Sequence, residues 1–228
     1  MGKSPLNRRE FLKAGLTGLA TTGAAAVLLA DELKKQKKTD KPAGQDNQLQ
    51  PPGGQREGFI YRTLGRTGIV LPVVCMGVMN TDSYELVRAA LDAGLVHLDT
   101  AHNYLRGRSE EVIGQVVKGR PRDSFVVATK VPPAEGFNEK LDLSLKRLGL
   151  DYVDILYLHN LTKREVALAP ENMAMIQAAK KAGKARFIGV TTHGNEPEVI
   201  RAAVEAKIYD VVLTGYNFRK DYIKDLDA

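Results

Sequence analysis

Gly94-Leu95-Val96-His97-Leu98-Asp99-Thr100-Ala101-His102-Asn103-Tyr104 sets an apolar run directly after a glycine and ends it in an acid, with a tyrosine five residues further on. The run at 95–99 has the length of a buried strand. Before it, Leu86, Ala89 and Ala90 form an apolar face that stops at Gly94, the pattern of a helix closed by a left-handed glycine. Similar runs occur at 70–76, 125–130, 153–158, 186–191 and 210–215. Between them the helical pattern returns. Leu141, Leu145 and Leu148 share one face ahead of Gly149, and Met173, Ile176 and Ala179 precede Gly183 with Lys180 and Lys181 in the last turn. Asn195 and Glu198 offer an N-cap and a return hydrogen bond before Val199.

Strand starts therefore recur at the repeat length of a βα unit, with one helix between each pair. A doubly wound nucleotide-binding sheet calls for G-x-G-x-x-G after its first strand, and none follows here. The expected fold class is α/β, a (β/α)₈ TIM barrel of which six βα units are in view. A short β-hairpin precedes it, with Phe59 to Arg62 and Ile69-Val70 flanking Gly65-Arg66-Thr67-Gly68. Because a full barrel has eight strands, the sequence reads as C-terminally incomplete.

The front of the chain follows different rules. Of the formal charge of +6, residues 1–58 carry +4, so the basic balance describes a leader and gives no support for a nucleic-acid groove on the folded part. Asn7-Arg8-Arg9-Glu10-Phe11-Leu12-Lys13 and the uncharged stretch Ala14 to Ala30 resemble the bacterial twin-arginine export signal. That stretch is diluted by Gly15, Gly18 and Gly23 and is too short for a typical membrane span. The resemblance implies passage through the twin-arginine export machinery to the periplasm, or anchoring at the outer face of the cytoplasmic membrane. Residues 31–57 are Lys-, Gln-, Pro- and Gly-rich and read as a flexible tether. The expected organisation is a signal at 1–30, a linker at 31–57 and a partial barrel at 58–228. The single cysteine, Cys75, rules out an intrachain disulfide and is expected to be buried and inert.

Barrel chemistry gathers where strands end. The second strand ends in Asp99, with Tyr104 in the loop; the third ends in Thr129-Lys130; the fourth ends in Tyr157-Leu158-His159. A phenol is a weak acid at neutral pH, and an adjacent ammonium favours its ionised form, so Lys130 is expected to lower the pKa of Tyr104. Lys130 needs a carboxylate to stay charged in a dry site, and Asp99 supplies one. Tyr104 is then the general acid, and His159 orients and polarises the substrate oxygen. None of these supplies hydride, which points to a nicotinamide.

These residues resemble the aldo-keto reductase family. The similarity runs from Tyr61-Arg62-Thr63-Leu64-Gly65 through Gly94 to Tyr104, Gly107-Arg108-Ser109-Glu110, Ile113-Gly114, Thr129-Lys130 and Asp154 to His159, and on to Gly183-Lys184, Gly189-Val190 and Asn217. It implies reduction of aldehydes or ketones by the tetrad Asp99, Tyr104, Lys130 and His159. It also implies NADP(H), or NAD(H), lying along the rim. Nicotinamide would then rest near Gly77 and Val78, with Thr191 and Thr192 where the family has Ser-Asn and Tyr216 stacked under the ring. Thr192 makes fewer hydrogen bonds than Asn, and Leu213 stands where many members have Gln, so anchoring of the carboxamide departs from the family pattern. The alternatives are a barrel that binds nicotinamide and regulates without catalysis, or an inactive truncated product. His97 is expected to be a hydrogen-bonded core histidine; His102 and His193 lie in rim loops. No pair of histidines has ligand spacing, so no metal is expected.

Overall fold

A computed structural model describes residues 50–217, 219 and 221–227. The export signal expected at 1–30 and the tether up to residue 49 lie outside the described residues. Arg56, within the stretch read as tether, donates to the Asp92 carbonyl (2.6 Å), and its own N–H donates to the Tyr61 hydroxyl (3.0 Å).

Strands β1 (Tyr61–Thr63) and β2 (Val70–Pro72) pair antiparallel, with Tyr61 opposite Pro72 and Thr63 opposite Val70. The Thr67 hydroxyl donates to the Leu64 carbonyl (2.6 Å) and accepts from the Ile69 N–H (3.1 Å), which tightens the turn between them. Val73 extends the ladder by donating to Ile60 (2.9 Å). The run at 70–76, expected as one barrel strand, is therefore divided. Its first half has its hydrogen bonds in the antiparallel pair, and the chain must turn before β3 (Met76–Gly77) joins the main sheet. Cys75 sits in that turn beside the exposed Val73 and Val74, so it is exposed where a buried thiol was expected.

After β3 the chain alternates through α1 (Tyr84–Ala93), β4 (His97–Asp99), α2 (Arg108–Val117), β5 (Val126–Val131), α3 (Phe137–Leu148) and β6 (Val153–Leu158). It continues through α4 (Arg164–Leu168), α5 (Pro170–Lys181), β7 (Ala185–Thr192), α6 (Glu196–Ala206), β8 (Val211–Thr214) and α7 (Ile223–Asp227). The six parallel strands lie in the order β3-β4-β5-β6-β7-β8. Each strand pairs with its neighbour in sequence, the singly wound order of a barrel wall, whereas a doubly wound sheet reverses direction midway. Strands β5 and β6 are buried along their whole length, as a central strand between helices and barrel interior must be.

The helices form where their apolar faces predict, with two shifts. In α3, Leu141, Leu145 and Leu148 are buried and Gly149 ends the helix at φ 63°. In α1 the inward pair is Val87 and Leu91, and Leu86 is exposed, because Ser83 caps the helix and the i, i+4 pair one residue later faces the core. Asn195 precedes α6 at φ 54° and makes no side-chain cap. An N-cap side chain reaches forward from extended backbone, which a left-handed residue does not have. Among the described residues no helix is long and apolar enough to cross a membrane.

Candidate active site

Parallel register brings all strand ends to one rim. Asp99 pairs with Ala128, Lys130 with Tyr157, and Tyr157 with Gly189, so β4, β5 and β6 present Asp99, Lys130 and His159 side by side. Lys130 is the bulkiest of the fully buried side chains, with 1% exposed. Its ammonium donates to Asp99 Oδ1 in a short ion pair and to the Thr100 carbonyl (2.7 Å). The same Nζ stands 4.9 Å from the centroid of the Tyr104 ring. The Tyr104 and His159 rings meet edge to face, their centroids 5.6 Å apart. The four residues expected at one rim are thus brought together.

Their electrostatics differ from expectation at the tyrosine. Burial, and then the Asp99 carboxylate, push the Tyr104 phenol above its ordinary range, not below it. The reason is that Lys130 is neutralised by Asp99, which leaves little net positive charge to favour a phenolate in a partly dry site. Burial lowers the Lys130 pKa while Asp99 opposes the change. His159 is pushed down to about 4 by burial, then by Lys130 and His193, and is therefore neutral at neutral pH. A protonated phenol beside a neutral imidazole can give a proton and donate or accept one more hydrogen bond.

The loop between Asp99 and α2 is held at many points. The Ser109 hydroxyl donates to the Val78 carbonyl (2.5 Å) and shares a 2.6 Å bond with the Thr100 hydroxyl. Leu105 and Arg106, directly after Tyr104, have φ of 49° and 57°, and Asn160, directly after His159, has 57°. Left-handed backbone at non-glycine residues costs energy and concentrates at functional sites. The Asn160 N–H donates to the Thr191 hydroxyl (2.8 Å), which fixes the chain beyond His159 against β7.

The residues expected to hold a nicotinamide are more scattered. Gly77 is exposed, with open space where a side chain would stand. Val78 is fully buried, its N–H donating to the Asp99 carbonyl (2.8 Å). Thr191 and Thr192 are buried, and their hydroxyls are engaged within the protein, that of Thr192 donating to the Gly194 carbonyl (2.9 Å). Tyr216, past the end of β8, is 61% exposed. His97 departs from expectation: both its ring nitrogens are buried without a hydrogen-bond partner, and burial lowers its pKa. Its paired residue on β5 is Val126, which offers it nothing to bond. His102 is committed, with Nδ1 3.0 Å from the Ser144 hydroxyl. No cluster of three or more potential metal ligands occurs among the described residues. The sequence reading missed Ser144, Arg147 and Asn160; only for Arg147 did Gly107 and Gly114 give an indirect sign, the need for close approach.

Comparison with known proteins agrees with this fold. Residues 76–219, more than half the chain, match the model of the aldo/keto reductase family. The chain is similar to L-glyceraldehyde 3-phosphate reductase of Escherichia coli, at 30% identity over 161 residues, covering 60% of this chain and 46% of that protein. It spans about half the length of the curated relatives it matches. Among solved structures, a thermostable aldo-keto reductase in complex with the inhibitor epalrestat superposes with a TM-score of 0.61 at 26% identity, over 73% of this chain and 66% of that one. An aldo/keto reductase from Klebsiella pneumoniae solved with NADP and acetate gives 0.52 at 28% identity, over 59% and 50%. By its fold and the extent of this match, the chain belongs to the aldo/keto reductase family.

Proposed function

We propose that the protein reduces aldehydes or ketones to alcohols with NADPH, and that Tyr104 is the proton donor. The observation that carries this reading is the contact series at the rim: Asp99 to Lys130, Lys130 to the Tyr104 ring, and Tyr104 to His159. When bound, the nicotinamide supplies hydride to the carbonyl carbon. Tyr104 gives its phenolic proton to the carbonyl oxygen, so the alcohol leaves with one hydride and one proton added. His159, neutral, directs its N–H at that oxygen and stabilises the charge that develops there. Lys130, its charge balanced by Asp99, favours the phenolate only weakly, so the phenol stays protonated until the carbonyl oxygen takes its proton.

The chain's fit to the cofactor is uneven. Open space over Gly77 and the exposed Tyr216 ring suit a flat heterocycle, and the backbone at Val78 shapes the wall beside it. Thr191 and Thr192, with hydroxyls already bonded, would line the floor by shape. NADP(H) is assigned over NAD(H) because a structural relative was solved with NADP.

The test is oxidation of NADPH by the full-length protein in the presence of short aldehydes. Tyr104→Phe is expected to lower kcat by about 100- to 10,000-fold while leaving the Kd for NADPH nearly unchanged. Cofactor binding without turnover in the unmutated protein would favour a regulatory barrel, and an unaffected Tyr104→Phe would remove the mechanism. The Arg8-Arg9 pair further supports export by the twin-arginine route. Replacing both with Lys is expected to retain the protein in the cytoplasm, and unchanged delivery to the periplasm would discard that assignment.

A further inference from the structure

Arg147 lies in the last turn of α3, outside the sheet, and carries none of the chemistry above. Its guanidinium nevertheless reaches both segments that do. Nη1 donates to the His102 carbonyl (2.9 Å), two residues before Tyr104, and to Glu110 Oε2 (3.2 Å). Glu110 is fully buried, and its other oxygen accepts from the hydroxyl of Thr129 (2.7 Å), the residue before Lys130 in β5. One cation thus ties the Tyr104 loop to the strand that presents Lys130.

A steric contact completes the arrangement. Gly107 ends the Tyr104 turn at φ 94°, and a methyl group built on it would stand 2.2 Å from Arg147 Cζ. Gly114, seven residues on, lets α2 meet the backbone of α3, since a methyl group there would stand 2.4 Å from the Arg147 carbonyl oxygen. Two glycines on one face therefore allow the guanidinium to lie flat against the turn. Ser144, one helical turn before Arg147, holds the His102 ring (3.0 Å) from the same helix.

The energetics assign the load. Leu105 and Arg106 occupy left-handed backbone, and such segments persist only when their surroundings over-determine them. Glu110, buried, needs a cationic partner, and among the described residues Arg147 forms that ion pair. The turn and the carboxylate thus share a brace.

We propose that Arg147 is a positioning residue, a latch on α3 that fixes the Tyr104 turn relative to Lys130 without touching substrate. Its kinetic consequence rests on the carbonyl-reductase reading; its structural consequence does not. The test uses the full-length protein with Arg147→Ala and Arg147→Lys, the second retaining a charge for Glu110 so that the fold persists. Trypsin cuts after Arg106 in the turn and after Arg108 at the start of α2, both exposed. Cleavage there is expected to accelerate about tenfold or more in both variants, through local opening, while the far-UV circular dichroism of Arg147→Lys matches the parent. kcat is expected to fall about 100-fold in Arg147→Ala, with partial recovery on adding guanidinium at concentrations that leave the parent unaffected. Unchanged cleavage in Arg147→Lys overturns the latch, whatever kcat does. If the parent protein reduces no carbonyl, the functional reading fails, and the cleavage rates still decide the latch.

Discussion

At the N-terminal end of the strands, Asp154 in β6 is fully buried and accepts three hydrogen bonds. Arg122 (2.7 Å) and the Val127 N–H (2.9 Å) reach one oxygen, and Arg186 (2.8 Å) the other. Asp210, just before β8, repeats the scheme with Lys180 (2.6 Å) and the Ile188 N–H (3.0 Å). Arg122 is itself packed on the Phe125 and Tyr152 rings, at 5.0 and 4.2 Å. At the opposite end, buried Lys130 has one carboxylate and one carbonyl, and its pKa falls because burial outweighs that pairing. Around it stand a tyrosine pushed up, a histidine pushed down and three left-handed residues. One end surrounds its carboxylates with donors and braces the sheet; the other leaves its buried charge with fewer partners in a strained setting, the condition under which protons move between groups.

The largest effect should come from breaking the Asp154 end. Asp154→Ala leaves the Val127 N–H without its acceptor and two guanidinium groups without their shared carboxylate. Loss of one partner from a buried ion network costs about 3–5 kcal/mol, measurable as a shift of the urea midpoint. NADPH affinity measured on the population still folded should stay near that of the parent, because the rim is untouched. A large loss of affinity with little loss of stability would reverse the roles assigned to the two ends.

This division explains what could be read from residues alone. The βα alternation was legible because buried parallel strands are continuous apolar runs and their helices end at Gly94, Gly149 and Gly183. Asp99, Lys130 and His159 were legible because each is a polar side chain at the end of such a run, and Tyr104 because it lies in the loop that follows Asp99. Pairing of residues 70–73 with β1 was not, since an apolar run does not state which strand it bonds to. Nor was the face of α1, where Leu86 and Val87 are equally apolar and the cap at Ser83 decides between them. The Tyr104 shift escaped because Lys130 was assigned to the phenol, whereas in the folded site its charge is already matched by Asp99. Arg147 escaped for a related reason: in a helix its spacing reads as a solvated basic residue near the C-terminus, and only the fold places Gly107 and buried Glu110 against it.

A smaller effect sharpens the comparison through pH. With a folded-state pKa of about 4 against an ordinary value of 6.5, His159 is neutral in both states above pH 6.5 and takes nothing from stability there. As pH falls from 6.5 towards 4 the unfolded chain binds a proton that the folded site refuses, so stability declines through that window, and the loss is complete below it. His97 and His102 shift in the same direction through burial, so the decline of the parent alone does not isolate one residue. The difference between the parent and His159→Gln does. The variant should lose less stability between pH 7 and 4, by on the order of 1–2 kcal/mol once solvent screening at this half-buried position is included. Equal slopes would mean that His159 is protonated as readily in the fold as in the open chain, so the rim would be no less solvated than bulk water and the contrast with the Asp154 end would disappear.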